Sequence, residues 1–528
     1  MTRVLISDKL SPRASDVFRD RGIDVDVKVG MTPVQLLGCI DKYEGLAVRS
    51  TTNVDLALLS AGHQLRVVGR AGIGIDNIDL AAATERGILV MNTPFGNSIT
   101  TAEHTIALLL SLCRQIPKAD LSVRQRKWEK ASFMGVEVSG KILGLVGCGN
   151  IGSIVADRAQ GLKMKVLVYD PFITDGQCLD FGVEKVGFDE LLTRSNFISL
   201  HVPLTETTKG MIDASAMAKM RPGVRIINCA RGGLIVESDL KDAIEAGQVD
   251  GAALDVFESE PPQNADFLGL DKIIVTPHLG ASTNEAQENV AIQLADQMSD
   301  YLLNGSVTNA LNMASVTPEE VPRLAPYMSL VKQLGRFIGQ VTQEGVRKIS
   351  IEYEGTAAEL NTKPLTAMLL EGILSPSLES VNMVNAPLVA RDRSIEVVEV
   401  KRVSPCDYNS MVRLTIQTES RTGTVAGTLF GGRPRLTHLD GINIEAELGS
   451  HMLFVRNEDK PGFIGSFGAV LGGAGVNIAT FHLGRGSVGG EAIALIEVDQ
   501  PVTEDILERI LSLPNVVQVK PLSFEQLT

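Results

Sequence analysis

Residues 142–170 leave this chain little choice of fold: an apolar strand at 142–146, then Gly147-Cys148-Gly149-Asn150-Ile151-Gly152, a helical run, and a second apolar strand ending at Asp170. Gly147 permits the tight turn out of the strand, Gly149 lets the backbone approach a pyrophosphate, and Gly152 allows helix and strand to pack closely. The first N–H groups of the helix then face an anion. Asp170 follows about 20 residues on, where a carboxylate accepts both ribose hydroxyls and repels a 2′-phosphate. The expected cofactor is therefore NAD rather than NADP. Glycine-rich turns are common, but here the strand, the helix and the acid accompany the glycines.

The rest of the chain keeps time with this stretch. Before it, short strands at 4–6, 46–48, 67–68 and 88–91 alternate with amphipathic stretches at 56–61 and 80–85, the rhythm of a parallel βαβ sheet. After it, strands at 197–202, 224–229, 252–256 and 272–276 alternate with helices at 213–220 and 237–246, completing a doubly wound Rossmann sheet. Between the two, Thr100-x-x-Glu103 reads as a capping box that opens a linking helix. Its continuation at 124–130 carries the only tryptophan, Trp128, and reads as a solvated helix face with one aromatic anchor. A long amphipathic run at 283–303 follows, and two α/β units joined by long helices leave a cleft for a ligand.

Near Val316-Thr317-Pro318 the character changes. Helical stretches at 327–339 and 364–373 and strands at 349–353, 395–401, 412–417 and 425–430 indicate an α+β unit. The end of the chain reads strand, helix, strand, strand, helix, strand (452–456, 463–471, 476–483, 491–498, 504–511, 516–520), a ferredoxin-like order. Pro461-Gly462 before its first helix is either a plain turn or a set of exposed N–H groups able to hold a small carboxylate. The expected fold class is thus α/β with two doubly wound parallel-sheet domains, then an α+β domain and a ferredoxin-like domain. This agrees with a length of 528 residues at about 150 per domain.

A net charge of -14 with no long basic run argues against nucleic acid or membrane as partners, so an anionic substrate needs a local basic pocket. Cys39, Cys113, Cys148, Cys178, Cys229 and Cys406 show no metal-ligand or redox spacing, so reduced thiols and no metal are expected. The N-terminus reaches charge too soon for a signal peptide, and the longest apolar stretch, 106–112, is too short to span a bilayer. The expected compartment is the cytoplasm.

Arg231, Glu260 and His278 each follow a predicted strand of the Rossmann unit, where side chains reach the cleft edge. Taking hydride from a 2-hydroxy acid requires a base, a cation for the carboxylate and a partner that tunes the base. His278 suits the first role. Arg231 suits the second, because guanidinium matches carboxylate in bidentate geometry. Glu260 suits the third. His104 and His201 read as structural.

Gly147 to Gly152, Cys229-Ala230-Arg231-Gly232-Gly233, Asp255-Val256-Phe257-Glu258-Ser259-Glu260-Pro261 and Pro277-His278-Leu279-Gly280-Ala281-Ser282 together resemble the D-isomer-specific 2-hydroxyacid dehydrogenases. Within them, Val48-Arg49-Ser50, the run from Gly69 to Asn77 and the run from Asn92 to Ser98 resemble the D-3-phosphoglycerate dehydrogenase branch in its long form. That resemblance implies oxidation of 3-phospho-D-glycerate to 3-phosphohydroxypyruvate, the first step toward L-serine. It implies a substrate-binding domain (1–98 and 285–312), an NAD-binding domain (99–284), an intervening domain (313–448) and an ACT regulatory domain (449–528). It also implies substrate contacts from Arg49, Ser50, Arg70 and Asn97, with Lys130 reaching a neighbouring subunit of a homodimer or homotetramer. NAD contacts would come from Asn150, Ile151, Asp170, Thr205, Cys229, Ala230, Arg231, Asp255, His278, Gly280 and Ala281. Asn457, Asp459 and Asn477 would bind L-serine as effector across a subunit interface. Ile73 stands where several relatives carry threonine. Two alternatives stay open: a glycerate or hydroxypyruvate dehydrogenase, disfavoured by Arg49 and Arg70, and a non-catalytic NAD(H)-sensing protein, disfavoured by the triad.

Overall fold

A computed structural model describes residues 2–524 except 95, 264, 318, 343, 379 and 404–407; Phe95, Pro318 and Cys406, which figure in the readings above, lie outside the described residues. Five short aliphatic strands, β1 (Arg3–Ile6), β2 (Asp24–Val27), β3 (Gly45–Val48), β4 (Val67–Arg70) and β5 (Leu89–Asn92), form a parallel sheet in the order β2-β1-β3-β4-β5. Apolar side chains are buried on both faces, as a parallel sheet covered by helices demands. The helix Asn284–Asn304 returns to one of those faces, packing Val290, Leu294 and Met298 with Val4, Val67 and Met91.

The second sheet contains β6 (Ile142–Val146), β7 (Lys165–Tyr169), β8 (Glu184–Lys185), β9 (Phe197–Leu200), β10 (Val224–Asn228), β11 (Val249–Leu254) and β12 (Ile273–Val275). Its order, β12-β11-β10-β9-β6-β7-β8, reverses direction between β9 and β6. Ligands of such sheets bind outside the carboxyl ends of the strands at that switch point, and Gly147 follows β6 there while His201 follows β9.

Two local readings are corrected. The linking helix runs Ser98–Arg114 and starts before Thr100, so the expected capping box lies inside it; Asn97 is its cap and makes no side-chain capping bond. The turn at Gly96-Asn97 ends the preceding loop one step earlier, and the Thr100 hydroxyl sits 3.2 Å from that of Thr283 instead. The 124–130 segment is not a continuous helix either: the helix Ile116–Arg124 stops and Arg126 adopts a left-handed φ of 62°. Trp128 is 84% exposed, so it is not a buried anchor.

A third sheet joins β13 (Val346–Gly355), β14 (Glu396–Arg402), β15 (Ser410–Thr418), β16 (Thr422–Phe430), β17 (Arg433–Leu439) and β18 (Ile442–Ala446) in the order β14-β13-β15-β16-β17-β18. Only its β13–β14 pair is parallel. The helices Val321–Val341 and Thr362–Leu374 pack together closely, because a Cβ at Gly335 would stand 2.5 Å from the Leu369 carbonyl oxygen.

The last sheet, β19 (His451–Glu458), β20 (Ile478–Arg485), β21 (Glu491–Val498) and β22 (Val516–Ser523), is antiparallel in the order β20-β21-β19-β22, which is the ferredoxin-like arrangement. Its own helices cover one face, with Leu453, Val455 and Ile496 against Phe467 and Ile510, and the opposite face is continuous with the core of the preceding unit. Phe454 and Leu495 are fully buried in one cluster with Leu334 and Phe337, and the rings of Phe337 and Phe454 meet edge to face at 5.9 Å. Lys520 of β22 donates to the Gln340 and Val341 carbonyls at 3.3 and 3.2 Å, placing a cation on the C-terminal end of the helix Val321–Val341. No helix among the described residues is long and apolar enough to cross a membrane.

Because one cluster spans both C-terminal units, Phe454→Ala is expected to cost about 3–5 kcal/mol and to lower their melting together. Scanning calorimetry in which the 321–448 unit melts unchanged would contradict the shared core.

Candidate active site

A cleft of about 820 Å³ runs between the first two sheets. Its walls bring together thirteen of the residues expected from sequence: Arg49, Ser50, Arg70, Asn97, Asn150, Ile151, Cys229, Ala230, Arg231, Glu260, His278, Gly280 and Ala281. Gly147, Gly149, Gly152 and Asp170 shape the turn beside it. Thr205 lies exposed on the loop after β9, and Lys130 is exposed at the start of a short 3-10 turn; neither lines the cleft. Ile73 is on the wall, its carbonyl held by Asn92 at 2.6 Å.

The nucleotide end fits a dinucleotide. Gly147 has φ +94°, and a Cβ there would stand 2.6 Å from the His201 carbonyl oxygen; one at Gly152 would stand 2.3 Å from the Gly147 carbonyl oxygen. Around Gly149 there is open space instead, so backbone is what a ligand meets. The helix Asn150–Gly161 begins at Gly149 with no side-chain cap, leaving its first N–H groups for an anion. Asp170 is fixed at the end of β7 by the N–H groups of Cys148 (2.8 Å) and Phe172 (2.9 Å), one on each oxygen. Each oxygen keeps a lone pair for a ribose hydroxyl.

At the other end, His278 Nδ1 lies 2.7 Å from Glu260 Oε2, and the second Glu260 oxygen accepts the Phe257 N–H at 3.2 Å. His278 has φ 56°, a left-handed conformation uncommon for a side-chain-bearing residue. The surroundings hold it there. Its N–H donates to the Asp255 carbonyl at 2.9 Å, and the wholly buried Asp255 carboxylate accepts from the Thr276 hydroxyl (2.5 Å) and the Leu279 and Gly280 N–H groups (2.7 and 2.8 Å). His104 Nε2 stands 3.2 Å from the same carboxylate. Burial would raise the Asp255 pKa, but the hydrogen bonds from His104, Thr276 and Leu279 outweigh it and hold the carboxyl below its usual range. Asp255 therefore stands one layer behind the cleft wall. His201 does line the cleft, but burial pushes its pKa down to about 4, leaving it a weak base.

Three guanidinium groups converge on the substrate side. Arg70 donates through Nε to Asn77 at 2.8 Å and through Nη1 to the Gly74 carbonyl. Burial lowers its pKa; Asp76 acts against that, while Arg231 and Arg49 add to it. Arg231 donates to the Ala230 carbonyl at 2.6 Å and lies 3.7 Å from Asp76 across the cleft. Asn97 Oδ1 is buried with no hydrogen-bond partner, so a donor is wanted there. Sequence reasoning missed the residues that aim these groups. Asp8 accepts the N–H groups of Arg49, Thr51 and Thr52 (2.6, 3.2 and 3.1 Å), and Asn77 donates to the Arg49 and Thr52 carbonyls (2.8 and 2.6 Å). The signal was present: an acid two residues after β1 and an asparagine in the loop after β4 lie beyond the carboxyl ends of parallel strands.

The three residues expected to hold an effector do not meet within one chain. Asn457 pairs with Ala492, whereas Asn477 precedes Ile478, which pairs with Val498; the two asparagines are roughly 20 Å apart along β21. Asn457 is buried with its Oδ1 unpartnered. Asp459 is held below the usual carboxylate range by the Gly489 N–H and Arg485. Asn477 donates to Asp499 at 2.8 Å.

Gly152→Ala drives a methyl into the Gly147 carbonyl, so NADH affinity is expected to fall by about tenfold or more in a fluorescence titration. Undiminished binding would mean that the turn does not carry the nucleotide.

Three matches to known families divide the chain. Residues 106–280 match the D-isomer specific 2-hydroxyacid dehydrogenase NAD binding domain, residues 323–440 the D-3-phosphoglycerate dehydrogenase intervening domain, and residues 451–515 the ACT domain. The chain is similar to D-3-phosphoglycerate dehydrogenases of Synechocystis sp. (41% identical over 522 residues; 98% of this chain, 94% of the relative), Archaeoglobus fulgidus (40% over 519; 98% of each) and Bacillus subtilis (39% over 524; 98% and 99%). Among solved structures, a glyoxylate reductase from Paecilomyes thermophila superposes with a TM-score of 0.55 at 28% identity, covering 60% of this chain and 99% of its own. A Thermus thermophilus protein does so with a TM-score of 0.54 at 30% identity, covering 59% and 100%. The chain belongs to the D-3-phosphoglycerate dehydrogenase family, within the D-isomer specific 2-hydroxyacid dehydrogenases.

Proposed function

We propose that the chain oxidises 3-phospho-D-glycerate to 3-phosphohydroxypyruvate, the entry step to L-serine, using the cleft between its first two sheets. The observation that carries this is the Glu260–His278 pair at 2.7 Å in a cleft that also holds Arg49, Arg70 and Arg231. With Nδ1 on Glu260, His278 exchanges the substrate hydroxyl proton through Nε2, and Glu260 stabilises the imidazolium that forms. Arg231 holds the carboxylate beside the reacting carbon; Arg49, Ser50, Arg70 and Asn97 take the phosphate and the remaining polar groups. A dianionic phosphate matches guanidinium groups that stand close together, Arg231 and Arg49 adding to the burial that lowers the Arg70 pKa. NAD, held at Gly147–Gly152 and Asp170, supplies the hydride acceptor. We divide the chain as expected from sequence, 1–98 with 285–312, 99–284, 313–448 and 449–528, into substrate, NAD, intervening and ACT domains.

The ACT domain is proposed to bind L-serine between two copies of the chain. The buried, unpartnered Asn457 Oδ1 favours a ligand with a donor, and the separation of Asn457 from Asn477 favours a site shared by a homodimer or homotetramer. Exposed Lys130 and Trp128 are open to the same kind of partner. Buried free thiols at Cys113, Cys148 and Cys229 fit a reducing, cytoplasmic setting.

NADH oxidation is expected to be much faster with 3-phosphohydroxypyruvate than with hydroxypyruvate, and L-serine is expected to suppress it. Preference for the unphosphorylated acid would reassign the substrate. His278→Ala is expected to lower kcat by about 10²–10⁴ with NADH binding retained; unchanged turnover would remove His278 from the chemistry, and no turnover by the unaltered protein would favour an NAD(H) sensor.

A further inference from the structure

His104, which the sequence presents as structural, lies on the helix Ser98–Arg114 behind the loop that carries His278. It does not line the cleft, and its side chain is only 19% exposed. Its Nε2 stands 3.2 Å from Asp255 Oδ1 and 3.2 Å from the Thr276 hydroxyl oxygen. Both of these are acceptors. The Asp255 carboxyl, held below its usual range, is ionised and has no hydrogen to give, while the Thr276 hydrogen already goes to Asp255 Oδ1 at 2.5 Å. Nε2 therefore carries a hydrogen, in the neutral ring as in the charged one, and the imidazole donates into the Asp255–Thr276 pair.

That donation bears on the loop through its two ends. Thr276 opens the loop and is held by His104 and Asp255; Leu279 and Gly280 close it, their N–H groups on the two oxygens of the same carboxylate. One turn before His104, on the same helix face, the Thr101 hydroxyl donates to the Gly280 carbonyl at 2.7 Å. The helix thus grips residues 276–280 at both ends, and His278 lies between the grips with φ 56°. A left-handed φ on a residue with a side chain persists only where the surroundings impose it. Without the His104 donor, a wholly buried carboxylate loses one partner, and the loop that supplies the others shifts to compensate. The contact exposed to that shift is the one between His278 Nδ1 and Glu260 at 2.7 Å.

We infer that His104 is a positioning residue: its Nε2–H, acting through Asp255 and Thr276, holds residues 276–280 so that His278 keeps its approach to Glu260. The hold on the loop stands on geometry; its kinetic consequence rests on the dehydrogenase reading above. In 3-phosphohydroxypyruvate reduction, His104→Leu is expected to lower kcat about ten- to a hundredfold, with KM and the NADH dissociation constant moving by less than about twofold. His104→Gln, whose amide nitrogen can take the place of Nε2 and donate, is expected to recover most of that loss. Added to Glu260→Gln, His104→Leu is expected to cost less than it does alone, because both changes act on one imidazole. Hydrogen exchange of the 276–280 segment in the NADH-bound protein, read by mass spectrometry, is expected to quicken in His104→Leu and not in His104→Gln. Unchanged kcat in His104→Leu, equal losses in the leucine and glutamine variants, or full additivity with Glu260→Gln would overturn the positioning role. Unchanged exchange in His104→Leu would overturn the hold itself. Quickened exchange in a protein that turns over no hydroxy acid would leave the hold standing and remove the dehydrogenase reading.

Discussion

The catalytic end of the cleft depends on one buried carboxylate. Asp255 is wholly inaccessible, yet it stays charged because every donor around it belongs to the loop it organises or to the linking helix behind it. An unpaired carboxylate in that position would be intolerable; one that accepts two backbone N–H groups, a hydroxyl and an imidazole is held firmly. The same bonds fix residues 276–280 in a conformation that carries His278 through a left-handed φ toward Glu260. His104 and Thr101 on the helix Ser98–Arg114 join this network, Thr101 donating to the Gly280 carbonyl at 2.7 Å. The helix that links the two α/β units therefore also sets the geometry of His278.

On the opposite wall the problem is reversed. Arg49, Arg70 and Arg231 crowd together, with Asp76 and Asp8 near enough to act on Arg70, the one whose burial makes the crowding costly. The backbone solves the positioning: Asp8 gathers the N–H groups of Arg49, Thr51 and Thr52, and Asn77 ties that loop to Arg70. Preorganised cations of this kind lose little on binding and gain most from a ligand carrying two separate anionic groups. A chain whose overall charge is strongly negative concentrates its positive field where a phosphorylated acid has to sit.

What the sequence made legible follows from how local each signal is. The glycine turn with its flanking strands and acid is a contiguous constraint, and the helices at 56–61 and 80–85 fall where their periodicity put them. The edge strand β2 escaped because Asp24-Val25-Asp26-Val27 places an acid at every second position, which reads as loop until Arg3 is seen to pair with both acids. Asp8, Asn77 and His104 escaped for a different reason. Their partners are 41 to 44 residues away for Asp8, 25 and 28 for Asn77, and just past the end of β11 for His104, separations that no motif encodes. His104 in particular passes for a core histidine, and its role is set by Asp255, which only the sheet brings beside it.

The C-terminal half raises the question of how a ligand there reaches the cleft at all. The ACT sheet and the unit before it share one core, with Phe454 against Phe337 and Lys520 on the end of the helix Val321–Val341, so they respond together. Packed cores of this kind move as bodies rather than deforming gradually. The side-chain bonds from that body to the substrate-binding unit include Asn382 and Asn385 on Gly87 and Glu85, and a Cβ at Gly87 would collide with Asn382 at 2.2 Å, so the contact is tight enough to transmit a small displacement. Any rotation of the C-terminal body would therefore bear on the helix Leu80–Glu85. Beyond its far end, Asn77 holds Arg49 and Arg70, the arginines proposed to meet the substrate.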